Sequence, residues 1–183
     1  MSDELVDIID EKGSKTGKTA MKSIAHKRAL WHEAAFVWIY NSKNEVLVQF
    51  RSADKQIHAN CWDVSVGGHM GAGEDPADNV IRETKEELGV DLNKADLKYL
   101  GKLPDVKPLR DGTPHKEWDL CFITKKDTDI KNIKPLKKEL SKVKWLPIKE
   151  LENDINDPER FKFYAQRDKR IYQMVVEEIG NED

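Results

Sequence analysis

Residues 68–90 read GHMGAGEDPADNVIRETKEELGV, from Gly68 to Val90. The stretch opens with a glycine-rich loop, Gly68, Gly71 and Gly73, that ends at Glu74. A helix start follows: Asp75 suits the N-cap, Pro76 the first helical position and Gly89 the stop. Glu83, Glu86 and Glu87 stand at i, i+3 and i+4, so a helix sets them on one face. Ala77, Val80, Ile81, Thr84 and Leu88 fall on another stripe, the natural core side. A merely solvated helix would gain from lysines four residues after its glutamates, yet Glu83 is followed at that spacing by Glu87, a like charge that costs stability. Three glutamates on one face, with Glu74 on the loop before them, make an oxygen-rich cluster. Hard divalent cations such as Mg²⁺ take such ligands.

Around this stretch lies a chain of 183 residues, the length of one domain with a full core. Charged residues make up 36% of it and hydrophobic residues 38%, which describes a heavily charged surface around a modest core. The net charge of −3 gives no general pull toward nucleic acid. No apolar run approaches a membrane span, and the acidic start MSDELVDIID does not read as a signal peptide. Cys61 and Cys121 are too few for a disulfide framework. These features lead to the expectation of a cytoplasmic protein without membrane or nucleic-acid partners; a homodimer is compatible with them.

Taken in order, Leu5–Ile9 reads as a strand, EKGSKTG as a turn and Thr19–Leu30 as a basic helical segment. Ala34–Tyr40 is a continuous apolar run, suited to a strand buried on both faces. Glu45–Phe50 alternates as a second strand and forms a hairpin with the first. Trp62–Val66 is a short strand feeding the glycine loop. After the central helix, Leu97–Leu103 and Glu117–Thr124 read as strands, with 104–116 a long polar loop between them that can close over a substrate or simply connect. Val143–Leu146 is a last short strand. Asp157 and Pro158 open a C-terminal helix over about 158–179, interrupted by one polar residue, Asp168. The expected fold class is α/β: a mixed β-sheet with helices on both sides, an α/β/α sandwich, as one domain over 1–183 with a leading segment 1–30.

The spacing of Gly68, Glu74, Arg82-Glu83, Glu86-Glu87, Gly89 and Val90 resembles the Nudix box of the Nudix hydrolases; Thr84 fills one position that is usually aliphatic. The resemblance implies the same sandwich fold and Mg²⁺-dependent hydrolysis of a nucleoside diphosphate linked to another group, with Mn²⁺ as an alternative cation. It implies Glu83, Glu86 and Glu87 as the main cation ligands, with Glu74 nearby, and Arg82 as a residue that orients Glu86. The general base is left open among Glu83, Glu86 and Glu139. Glu139 enters because Glu139-Leu140 resembles a late loop that supplies a carboxylate in the family. The partner is a small-molecule diphosphate. Trp31, Trp38, Trp62, Trp118 and Tyr99 are candidates to stack a base, though an aromatic on a strand is more often core.

Residues 5–150 are further similar to one branch of that superfamily, the isopentenyl-diphosphate isomerases and related hydrolases. The isomerase carries a catalytic cysteine in a Trp-x-x-Ser-x-Cys-Gly-His context. Here Trp62–His69 keeps the frame with Gly67 in the cysteine's place. The isomerase also commonly has Arg where this chain has Glu83. Both departures favour hydrolysis over isomerisation; a catalytically silent binding module is a third reading, opposed by the complete set of box glutamates. His32 and His69 match histidines of the isomerase's second metal site, His26 lies one residue out of register with a third, and His115-x-Glu117 replaces a pair of carboxylates. His26, His32, His69 and Glu117 together would suit a transition metal; the plainer alternative is scattered histidines. Arg51 and Lys55 match residues that hold the isomerase's diphosphate, or else are ordinary loop cations.

Overall fold

The computed structural model describes residues 3–109 and 111–181. Its leading residues form a hairpin of β1 (Leu5–Ile9) and β2 (Lys15–Met21), turned at Asp10, whose carboxylate accepts the backbone N–H groups of Lys12 and Ser14. The helix expected from Thr19 is confined to α1 (Lys22–Lys27), because the strand runs on to Met21. Pairing with β1 decides this: ladder hydrogen bonds override the weak helical preference of a short segment.

The next strand, β3 (His32–Tyr40), is buried at all nine positions, as its apolar run implies. Phe36 and Trp38 enter one core, and Ala35, Val37 and Ile39 the other. The main sheet is completed by β4 (Glu45–Arg51), β5 (Trp62–Asp63), β6 (Val66–His69), β7 (Lys98–Pro108), β8 (Pro114–Lys125) and β9 (Leu140–Pro147). On one edge β3 runs parallel to β8. The other edge is divided. β6 pairs with β3 from Ala34 to Val37, whereas β4 meets β3 at Tyr40↔Val46 and then turns away to β5 and β9. The sheet therefore forks between β3 and β4. Ser65, fully buried, fills the fork: its hydroxyl donates to the Leu47 carbonyl at 2.5 Å and accepts from the Ile39 N–H at 2.8 Å. Both backbone groups would otherwise be buried without partners.

Helix α2 (Pro76–Leu88) packs Val80 and Leu88 on the face of Ala35 and Val37. Asp75 caps it by accepting from the N–H groups of Ala77 and Asp78, and Gly89 stops it in the left-handed conformation at φ 70°. On the opposite face lie α3 (Ile148–Asn156), α4 (Pro158–Phe161) and α5 (Lys169–Gly180), with Leu151, Tyr172 and Val175 in the core. The result is the expected α/β/α sandwich.

Two further expectations fail. The C-terminal helix over 158–179 is two helices, α4 and α5, joined by an arm. Asp168, read as a polar interruption, caps α5 by accepting from the Arg170 N–H. The arm is diverted because Phe163 and Ala165 hydrogen-bond to Trp62 of β5, at 2.9 and 2.7 Å. The polar loop over 104–116 is also absent: β7 and β8 continue as a ladder out to Pro108↔Pro114. Pro104 and Pro108 are tolerated because β7 is an edge strand, and Pro114 because it is the first residue of β8.

One buried cation clamps the arm to the sheet. Arg167 gives Nε and Nη2 to the Asp63 carboxylate at 2.8 and 2.9 Å, reaches Asp119 at 3.3 Å and stacks on the Phe36 ring at 4.1 Å. Arg51 reaches Asp63 from the other side at 3.1 Å. Burial raises the proton affinity of Asp63, but the Arg167 guanidinium beside it holds its carboxyl well below the ordinary range. Replacing Arg167→Met leaves Asp63 with Arg51 alone and takes the guanidinium from Asp119, so urea unfolding should show a loss of about 3–5 kcal/mol; a loss under about 1 kcal/mol contradicts the clamp.

Candidate functional site

The fork opens into a cavity of about 290 Å³. Its α2 side carries Glu83, Glu86 and Glu87. Glu83 reaches it because Gly68 has no side chain: a Cβ there would stand 2.4 Å from the Glu83 carboxyl carbon. Arg82 holds the group together, with Nη1 at 2.8 Å from Glu83 and 3.7 Å from Glu86, and Nε at 3.0 Å from Glu74. Glu74, expected near the cation ligands, faces its own loop. It accepts from Gly71 N–H at 2.8 Å and Asn79 Nδ2 at 2.9 Å as well as Arg82, so its carboxylate shapes the loop and orients Arg82.

Glu87 is the exceptional carboxylate. It is 5% exposed, its Oε2 has no partner, and burial pushes its pKa up to about 8. Burial also raises Glu83. Across the cavity Glu139 is ion-paired to Lys55, and both face the opening. Arg51 lines the same wall, but its guanidinium is engaged by Asp63 and by the carbonyls of Ile57 and His58. Arg51 therefore fixes the loop that carries Lys55.

On the far side the histidines converge. Ligand-capable nitrogens of His26, His32, His69 and His115 lie within 4.8 Å of one another. Glu117 stands among them, 3.5 Å from His32, 3.0 Å from His69 and 2.8 Å from His115. Burial would raise Glu117, but His115 and His69 beside it hold its pKa well below the ordinary value. His26 is pushed down to about 3, first by burial and then by the neighbouring imidazoles. It is a neutral donor at ordinary pH. The Nδ1 of His32 lies 3.0 Å from the Leu30 carbonyl, and its Nε2 faces Glu117 at 3.5 Å. The four residues predicted for a second metal are thus together, and His115 joins them.

Gly67 faces the cavity beneath Phe36. A Cβ at position 67 would lie 2.0 Å from the Phe36 ring. The place where the isomerase's thiol would begin is filled by this ring, held from behind by Arg167. Sequence reading did not assign Phe36, Arg167, Glu4 or Lys22 to the cavity wall. None belongs to the box, and no local spacing betrays them; only the fork and the leading hairpin bring them there.

The NUDIX domain family model matches residues 30–167, and the chain belongs to that family. Among its relatives are Nudix hydrolase 3 of Arabidopsis thaliana, 37% identical over 95 residues, covering 51% of this chain and 12% of that protein. The isopentenyl-diphosphate Delta-isomerase of Escherichia coli O127:H6 is 36% identical over 102 residues, covering 55% of this chain and 56% of that protein. The chain thus spans only part of the length of the curated relatives it matches. The crystal structure of DR0079 from Deinococcus radiodurans shares the fold, with a TM-score of 0.68, 21% identity and coverage of 93% of this chain and 97% of that one.

The buried Glu87 gives a pH signature. Its folded pKa is raised above the ordinary 4.5 to about 8. Its contribution to stability is therefore full below the unfolded value and lost as pH rises through the folded one. The thermal midpoint of metal-free protein should fall between about pH 5 and pH 8, and Glu87→Gln should flatten that fall. An equal slope in the variant would contradict the assignment.

Proposed function

We propose that the chain is a Mg²⁺-dependent hydrolase that cleaves a phosphoanhydride bond in a nucleoside diphosphate derivative or nucleotide, with Mn²⁺ able to replace Mg²⁺. The observation that carries this reading is Glu87: a buried carboxyl with an unpartnered oxygen, in a cavity wall shared with Glu83 and Glu86. A cation at that point relieves all three. Bound there, it supplies positive charge to the phosphate oxygens and Lewis acidity.

The chain's own groups do the rest. Glu83, Glu86 and Glu87 hold the cation, and Arg82 keeps Glu83 and Glu86 in place. Lys55 binds a phosphate oxygen, and Arg51 positions the Lys55 loop. Glu139 takes a proton from the attacking water, a contribution of typically about 10²–10⁴-fold; Glu83 and Glu86 are the other candidates for this role. In support of Glu139, its partner Lys55 is a cation that an anionic substrate draws toward itself, which frees the carboxylate. Water adds across the P–O–P bridge, so one product gains the hydroxyl and the other leaves as a phosphate.

The isomerase reading is opposed by Gly67, by the Phe36 ring over it and by Glu83. A silent binding module is opposed by the intact box. His26, His32, His69 and His115 with Glu117 have the donors for a transition metal such as Zn²⁺ or Mn²⁺, since imidazole ligands favour these over Mg²⁺. The substrate is a small molecule and the proposed place of action the cytoplasm; among the described residues no helix is long and apolar enough to cross a membrane.

In Mg²⁺, a panel of nucleoside diphosphate derivatives and nucleotides should yield at least one that is hydrolysed, and Glu86→Gln should slow it at least about a hundredfold. A loss of only a few fold removes the cation assignment. Protein purified without chelator or histidine tag should carry about one transition-metal ion per chain, lost on His32→Ala. Metal-free wild-type protein would remove the imidazole site.

A further inference from the structure

The cavity has a wall that lies outside the family match at 30–167. Glu4 and Lys22, at the two ends of the leading hairpin, line it together with Glu83 and Glu86. They are paired at 3.0 Å, with side chains 50% and 26% exposed. An ion pair this open to water is weakly held and readily exchanged. The backbone beneath it is fixed. The Lys22 N–H donates to the Glu4 carbonyl at 2.7 Å, Ala72 N–H donates to Leu5 at 2.8 Å, and Gly73 N–H donates to the Asp7 carboxylate at 3.1 Å. The hairpin is thus stitched to the glycine loop of the box.

Two further observations bear on what that partner would be. The unpartnered, buried Oε2 of Glu87 marks the same cavity as a place for a cation. The other cations around it are more firmly committed: Arg82 to Glu74 and Glu83, Arg51 to Asp63, and Arg167 to Asp63 and Asp119.

Resting on the cation site proposed above, we propose that Glu4 is a further ligand of that cation. When a divalent cation is seated on the α2 glutamates, the Glu4 carboxylate leaves Lys22 and turns to it, and the Lys22 ammonium is left facing the cavity. A hard cation gains another oxygen ligand. The leading hairpin then becomes a working part of the site.

The test is Mn²⁺ titration followed by electron paramagnetic resonance, on full-length protein first given one equivalent of Zn²⁺ to fill the imidazole cluster. Glu4→Gln should weaken Mn²⁺ binding about tenfold, whereas Glu11→Gln, on the hairpin turn, should leave it unchanged. Lys22→Gln should tighten it about threefold, because Glu4 no longer has to leave a partner. Binding by Glu4→Gln within twofold of wild type overturns the proposal, and so does weakening by both Glu4→Gln and Lys22→Gln, which would mark the pair as merely structural. Glu86→Gln separates the two levels. If it binds Mn²⁺ as wild type does, the cation site itself is wrong; if it loses binding while Glu4→Gln keeps it, only the role of Glu4 is wrong.

Discussion

The Ser65 hydroxyl, bonded to Ile39 on one strand and Leu47 on another, holds the sheet open where β3 and β4 part. That fork has a structural consequence for every part of the site. It lets β6 insert beside β3, so Gly67, Gly68 and His69 stand in a row along one strand. Their side-chain positions alternate between the two faces of the sheet. Gly68 faces α2, where the missing Cβ admits Glu83, and Gly67 faces the other way, where Phe36 lies over it at the cavity wall. His69 closes the row at the imidazole cluster. A continuous β3–β4 ladder would leave no cavity for these groups to share.

The second constraint is electrostatic. Carboxylates dominate the α2 wall, and the cations around the cavity are mostly spent on other acids. Arg82 is tied to Glu74 and Glu83, Lys55 to Glu139, and Arg51 and Arg167 to Asp63. Glu87 is left without one. Such an arrangement costs stability in the absence of a cation. A cation bound as proposed would relieve that imbalance. Arg167 serves both parts at once, since it clamps the C-terminal arm and backs the Phe36 ring at the cavity floor.

Much of this was legible in the sequence. Asp75, Pro76 and Gly89 mark the ends of α2 to the residue, because capping chemistry is local. The run from Ala34 to Tyr40 announces a strand buried on both faces. The histidines at 26, 32 and 69 were legible through resemblance, and the fold brings them together with His115. What failed depends on distant partners. The arm between α4 and α5 has a helical apolar stripe, but Trp62 takes its backbone and Asp168 caps a new helix. Residues 104–116 are polar and proline-bearing, yet 104–108 and 114–116 extend an edge ladder. That Asp63, twelve residues on, engages Arg51 has no local mark either. Glu4 and Phe36 carry no local signal at all.

The central claim is that this cavity adds water to a phosphoanhydride and moves no proton at carbon. The most direct measurement runs the substrate panel with Mg²⁺ in water labelled with heavy oxygen, and isopentenyl diphosphate alongside in deuterated water, with products read by mass spectrometry. The account predicts one heavy oxygen in a phosphate product of at least one nucleoside diphosphate compound, and no deuterium in the recovered isopentenyl diphosphate. Deuterium at carbon, or no heavy oxygen in any product, would contradict it.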